Sequence, residues 1–204
     1  GSAQHVMLHD SNALTINGTM SGNLAITSGG TITQNDPLKV TGTSGLDAAG
    51  NDILLNNAAN VFGNAVIVAS GKNVTLAGST DLTMYGNMLS GVLNAAAGNN
   101  LQIEHGGSLQ LGSAQGTDIN VLVMPDEGGK GHLTLTGQLN APTGIVRLAV
   151  DNGAILDATT IGPAITAGSL GARAANGIGT AAAPLKTQVS TLNLANYGSS
   201  GDIV

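Results

Sequence analysis

Two aliphatic residues flanking a single other residue recur along the chain: Leu14-Thr15-Ile16, Leu24-Ala25-Ile26, Leu38-Lys39-Val40, Val66-Ile67-Val68, Val74-Thr75-Leu76, Leu82-Thr83-Met84, Leu101-Gln102-Ile103, Leu109-Gln110-Leu111 and Leu133-Thr134-Leu135. Successive side chains of a strand point to opposite faces, so each phrase buries two aliphatics and turns its middle residue outward. Starts near 14, 24, 31, 38, 53, 66, 74, 82, 92, 101, 109, 119, 133 and 146 are mostly about 7 to 13 residues apart. Turn formers such as Ser28-Gly29-Gly30, Gly50-Asn51 and Gly98-Asn99-Asn100 separate them. An all-β chain is predicted, and two architectures share the rhythm: a sandwich and a β-solenoid.

The solenoid is favoured by the brevity of the strands and by a longer repeat. "LTINGTMSGNLAITSGGTI" (14–32) matches "LTMYGNMLSGVLNAAAGNNL" (82–101) with one inserted residue, pairing Leu14 with Leu82, Gly18 with Gly86, Met20 with Met88, Leu24 with Leu93 and Ile32 with Leu101. The unit is 68 to 69 residues. A coil of three short strands and three turns takes roughly 20–25 residues, so the unit is expected to equal about three coils and the chain eight or nine. Stacked at ~4.8 Å, these form a rod segment of order 40 Å filled by Leu, Ile and Val, with Asn and Thr ladders at its turns.

Composition agrees. One Phe, two Tyr and no Trp leave no large rings to bridge distant sheets, and 31 Gly with 9% charged residues disfavour amphipathic helices. A net charge of −6 with six Lys and Arg together argues against nucleic-acid or anionic-membrane partners. The chain has no cysteine, so disulfides, thiolate metal sites and cysteine nucleophiles are excluded. No apolar run approaches the ~18–20 residues of a membrane span, and no insertion of this segment is expected. Gly1-Ser2 reads as a tag scar, and 3–204 as a single solenoid segment cut from a longer repeat protein.

The phrases "SGNLAITSGGTITQNDPLKVTGTSGLDAAGNDILLNNAANVFGNAVIVASGKNVTLAGSTDLTM" (21–84) and "ANGIGTAAAPLKTQVSTLNLANYGSSGDIV" (175–204) resemble the repeat rods of filamentous-haemagglutinin-like bacterial exoproteins. The resemblance covers about half of the chain. It implies a right-handed parallel β-helix, export by a two-partner or autotransporter route, and a place on the bacterial cell surface outside the outer membrane. It also implies adhesion, biofilm structure or display of a distant toxin tip. The partners implied are a host or matrix glycan or protein receptor and an outer-membrane transporter for the full-length protein.

Candidate chemistry is sparse. His5 and His9 share a strand face, but without the Glu of a zinc-protease motif they read as part of an opening strand. Gly177-Ile-Gly179-Thr-Ala-Ala182 matches a loose dinucleotide pattern, yet Pro184 stands where its helix would run. Gly128-Gly-Lys-Gly131 lacks the Ser or Thr of a phosphate loop. Asn17-Gly-Thr19 and Asn73-Val-Thr75 fit the glycan-acceptor pattern and read first as turn and strand residues.

Polysaccharide lyases and hydrolases also use parallel β-helices, but their convergent carboxylates have no counterpart among the twelve scattered acidic residues. No catalytic, metal or cofactor-binding residue is assigned. Met124 to Gly131 reads as a loop pushed out of one coil, and insertions on one side of a solenoid are usual binding locations. Asp126, Glu127 and Lys130 are therefore the ligand-binding candidates. The stretch 158–188, rich in Ala and Gly, yields no clear strands.

The expected function is a non-catalytic rod segment of a secreted adhesin. Alternatives are a glycan-binding module, a polysaccharide-degrading enzyme, and an ice-binding solenoid using Thr15, Thr75, Thr83 and Thr134.

Overall fold

The computed structural model of the chain describes residues 2–87, 89–129 and 131–204; Gly1, Met88 and Lys130 lie outside them. Every aliphatic phrase forms part of a strand, and no helix occurs among the described residues. The strands pair in parallel, which a sandwich of hairpins would not do, and wind as a β-solenoid of about nine turns. Two compact units divide the chain, residues 1–100 and 101–204.

The first unit contains β1 (Ser2–Ala3), β2 (Val6–Asp10), β3 (Leu14–Met20), β4 (Leu24–Ser28), β5 (Ile32–Val40) and β6 (Ser44–Asp47). It continues with β7 (Ile53–Leu55), β8 (Val61–Phe62), β9 (Ala65–Ser70), β10 (Val74–Ala77), β11 (Leu82–Gly86) and β12 (Val92–Ala96). Three faces result. The first stacks β2, β4, β6, β9 and β11. The second stacks the starts of β3 and β5 on β7, β10 and β12. The third holds β1, the ends of β3 and β5, and β8. β3 turns the corner within one strand, its register shifting between Ile16 and Gly18, where Gly18 takes a φ of 112°.

The second unit contains β13 (Leu101–Gly106), β14 (Leu109–Gln115), β15 (Ile119–Met124) and β16 (Leu133–Leu135). It ends with β17 (Leu139–Val150), β18 (Ile155–Asp157), β19 (Ile165–Ala174) and β20 (Thr187–Asn196). β13, β15 and the second halves of β17, β19 and β20 form one face. The start of β14, β16 and β18 form another, continued by bridges from Ile155 to Ile178 and from Ile178 to Ile203. The Ala/Gly-rich stretch thus holds a full strand, β19, whose small residues alternate like the longer aliphatics elsewhere.

Inward positions stack as aliphatic files. Leu14, Ile32, Ile53, Val74 and Leu93 follow one another in register at steps of 18, 21, 21 and 19 residues. In the second unit Leu109, Leu133, Ile155, Ile178 and Ile203 do the same. From Ile32 to Leu93 and from Leu109 to Ile178 these side chains are fully buried, or nearly so. Each contributes about 1.5–3 kcal/mol on burial. Phe62, the single phenylalanine, points into the core from the third face.

Polar residues at the corners form ladders of their own. Asp52 Oδ1 accepts from the backbone N–H of Asn73 at 3.1 Å, and Asn73 Oδ1 accepts from Val92 N–H at 3.1 Å. On the next corner, Asn23 N–H donates to His5 Nδ1 at 3.1 Å and Thr43 N–H donates to Asn23 Oδ1 at 3.0 Å. In the second unit His132 N–H donates to Ser108 Oγ, and Ala154 N–H to His132 Nδ1. Each side chain satisfies a turn N–H of the following coil, so the turns stack as firmly as the strands.

The internal repeat requires a correction. Leu14 begins a second-face strand, whereas Leu82 begins β11 on the first face. The 68-residue unit therefore spans three coils plus a step to another face, not three coils. The cause is coil length: the pass from β10 to β11 omits a third-face strand, and registered steps range from 17 to 27 residues across the chain.

Candidate functional site

The loop singled out by the sequence is an insertion. Residues 125–132 join β15 to β16, whereas two to six residues turn the corresponding corners elsewhere. Asp126 and Glu127 are exposed, and Gly129 N–H closes a turn on Asp126 O at 2.9 Å with Gly129 at a φ of 72°. Asn152 Nδ2 donates to Gly129 O from the next coil and ties the loop down. Lys130 lies outside the described residues. Asp126 and Glu127 thus ride a tight turn, and a concavity elsewhere in the second unit is lined by other residues.

That concavity, of about 640 Å³, lies on the outer surface of β13, β15, β17, β19 and β20. Its lining includes Arg147 and Arg173, the carboxylate of Glu104, the amides of Gln102, Asn120 and Asn193, and Gly171, which carries no side chain. Arg147 Nη1 donates to Asn120 Oδ1 at 3.3 Å. Arg173 is held differently, 3.6 Å from the Asp151 carboxylate and over the Tyr197 ring at 5.9 Å from its centre. Tyr197 Oη lies 2.9 Å from Val150 O and 2.8 Å from Asp151 O. Burial and the Asp151 charge push the Tyr197 hydroxyl above its ordinary pKa, against the opposing pull of Arg173.

Sequence reasoning missed this groove. The arginines are 26 positions apart, and only the pairing of Arg147 with Gly171 and of Ala149 with Arg173 sets them diagonally on adjacent strands. They are also the only two arginines of the chain, a signal that composition alone offered.

Many other polar groups are committed to structure. Of the twelve acidic residues, Asp10, Asp47, Asp52, Asp81, Asp118 and Asp157 each accept a backbone N–H of a turn or of the next coil. Burial opposes ionisation of Asp157, but bonds from Thr159 Oγ1, Lys186 N–H and Thr159 N–H, with the Lys186 ammonium 3.7 Å away, hold its pKa below the ordinary value. No group of three or more His, Asp or Glu side chains able to hold a metal occurs among the described residues.

The remaining motifs resolve individually. Residues 177–182 form no helix: Ile178 bridges to Ile155 and Ile203, and Thr180 and Ala183 close a turn on each other. Asn73 is engaged in its ladder through both amide atoms, whereas Asn17 is exposed. The four threonines do not form one array. Thr15 and Thr75 share a row with Thr33 and Leu54, but Thr83 lies on a different face and Thr134 is flanked by Gln110 and Leu156.

Comparison with known proteins finds a repeat. The family described as "Repeats of unknown function" (DUF5649) matches residues 3–69, a stretch close to one 68-residue unit. No curated protein and no solved structure matches the chain. Over its first third, then, the chain is similar to a repeat.

Proposed function

We propose that the chain is a non-catalytic structural rod segment of a secreted bacterial adhesin, displayed outside the outer membrane and supporting adhesion or biofilm formation by its length and stiffness. One observation carries the reading: many of the polar side chains at the turns, among them His5, Asn23, Asp52, Asn73, Asp118 and His132, are engaged in ladders that hold coil to coil. Repetition without convergent reactive groups suits a spacer. The adhesin and surface assignments rest on the likeness of 21–84 and 175–204 to filamentous-haemagglutinin-like exoproteins, an argument by analogy. The main adhesion receptor, a glycan or a protein, is then met by another part of the parent protein, and an outer-membrane transporter exports it.

The test is substitution in the native host. Replacing 3–204 with an unrelated solenoid of equal turn number is expected to leave surface display and adhesion intact. Loss of adhesion with display preserved overturns the spacer role. Failure of antibody to label unpermeabilised cells overturns the surface placement, and turnover of polysaccharide by the purified chain overturns the non-catalytic reading.

A further inference from the structure

We propose that the outer face of β13, β15, β17, β19 and β20 binds a carboxylate-bearing oligosaccharide laid across the strands, with Arg147 as its principal charged contact. This goes beyond the spacer role and does not depend on it.

Gln102, Asn120, Arg147, Gly171 and Asn193 occupy one outward row in direct register. Strand spacing sets them ~4.8 Å apart, a step close to one pyranose ring. The row presents amide and guanidinium donors with a gap at Gly171, where an added Cβ would meet nothing within 4 Å. The gap lies between the two arginines.

The arginines are not equivalent. Arg173 is neutralised by Asp151, whereas Arg147 is exposed and pairs with no carboxylate among the described residues, only with the neutral Asn120 amide. A guanidinium has five N–H donors in a planar fork, so Arg147 keeps a bidentate edge for an incoming carboxylate.

Other occupants fit less well. A phosphate polymer needs clustered cations, and the chain carries a net −6. A peptide adding as a strand would pair along the outer edge of β20, which has β19 as its one strand partner among the described residues, and would not lie across the row of Asn120, Arg147 and Gly171. Glu104 stands in the neighbouring outward row, accepting from Gln102 Nε2 at 2.7 Å, and disfavours densely charged chains such as sulfated glycans. Spaced carboxylates among hydroxyls match one free arginine among amides.

Titration calorimetry of the whole chain tests this, with tetragalacturonic acid, its methyl ester and dextran sulfate as probes. Saturable, salt-sensitive binding of the acid and little of the ester are expected. Arg147→Gln is expected to weaken binding about tenfold or more. Gly171→Val is expected to block it by filling the gap, with both variants melting like the parent and Lys72→Gln binding like it. No binding of the acid at millimolar concentration, equal binding of the ester, binding of dextran sulfate only, or parent-like affinity in both groove variants would each overturn the proposal.

Discussion

Gln34 and Asn60 exchange two amide hydrogen bonds of 2.8 Å, Gln34 Nε2 to Asn60 Oδ1 and Asn60 Nδ2 to Gln34 Oε1. Asn60 is 0% exposed, and its Oδ1 also accepts from Leu38 N–H at 2.8 Å. Its Nδ2 further approaches Leu55 O at 3.1 Å and Ala77 O at 3.0 Å. One side chain thereby joins three successive coils at the corner before β8. Asn60→Ala strands several buried groups and is expected to cost about 2–4 kcal/mol, more than Gln34→Ala. Denaturant unfolding of both variants and of the double mutant checks this, with a coupling of about 1 kcal/mol or more expected between the sites.

Burial depends on the following coil as much as on the residue. Leu170 and Leu192 are in direct register, yet Leu170 is 1% exposed and Leu192 51%. Leu170→Ala is expected to cost about 2–5 kcal/mol and Leu192→Ala a minor fraction of that. Comparable losses measured by chemical denaturation would contradict the stacking account.

Acid is expected to weaken the second unit in two windows. His105 is 2% exposed, with Nδ1 3.2 Å from Gly107 O and Nε2 without a hydrogen-bond partner among the described residues. Burial lowers its pKa from the ordinary 6.5, and the Gly107 bond only partly opposes this. Below pH 6.5 the unfolded chain takes up a proton that the native state refuses, so stability falls with pH until the native pKa is reached. Asp157 behaves otherwise: its depressed pKa stabilises above the ordinary 3.8, and this contribution is lost as pH falls through the native pKa. Denaturation midpoints at pH 7.5, 5 and 3 separate the two. His105→Leu should flatten the first window and Asp157→Asn the second.

Ala49 is the one described non-glycine residue with positive φ, at 49°, in the turn between β6 and β7. Its N–H donates to Asp47 Oδ1 at 2.9 Å, so the turn itself is well formed. The left-handed conformation costs an L-residue roughly 1–2 kcal/mol. Ala49→Gly is expected to recover about 0.5–1 kcal/mol, read as a higher melting temperature.

Strand positions were legible where two large aliphatics mark the inward face, as at Leu24 and Ile26 or Leu101 and Ile103. They faded where the inward residues are small or polar: β6 opens with buried Ser44, and β19 carries Ala167, Ala172 and Ala174 inward. On the third face Leu38 to Val40 was legible, but β8 escaped for a different reason, since it has two residues and no room for a pattern. Asn60 looked like any turn asparagine in "NNAAN", because nothing local distinguishes a buried amide from a solvated one. The Arg147 groove depends on a 24-residue step between Val146 and Leu170, set by corner lengths that no single phrase reveals.

The offset between Leu14 and Leu82 bears on how such a chain grows. A segment of this length copied in tandem would re-enter the winding out of phase, so a copied surface motif would reappear around the circumference instead of directly above its parent. Expansion then preserves the interior, which accepts aliphatics from any side, while preventing an accidental sticky stripe from lengthening with every copy.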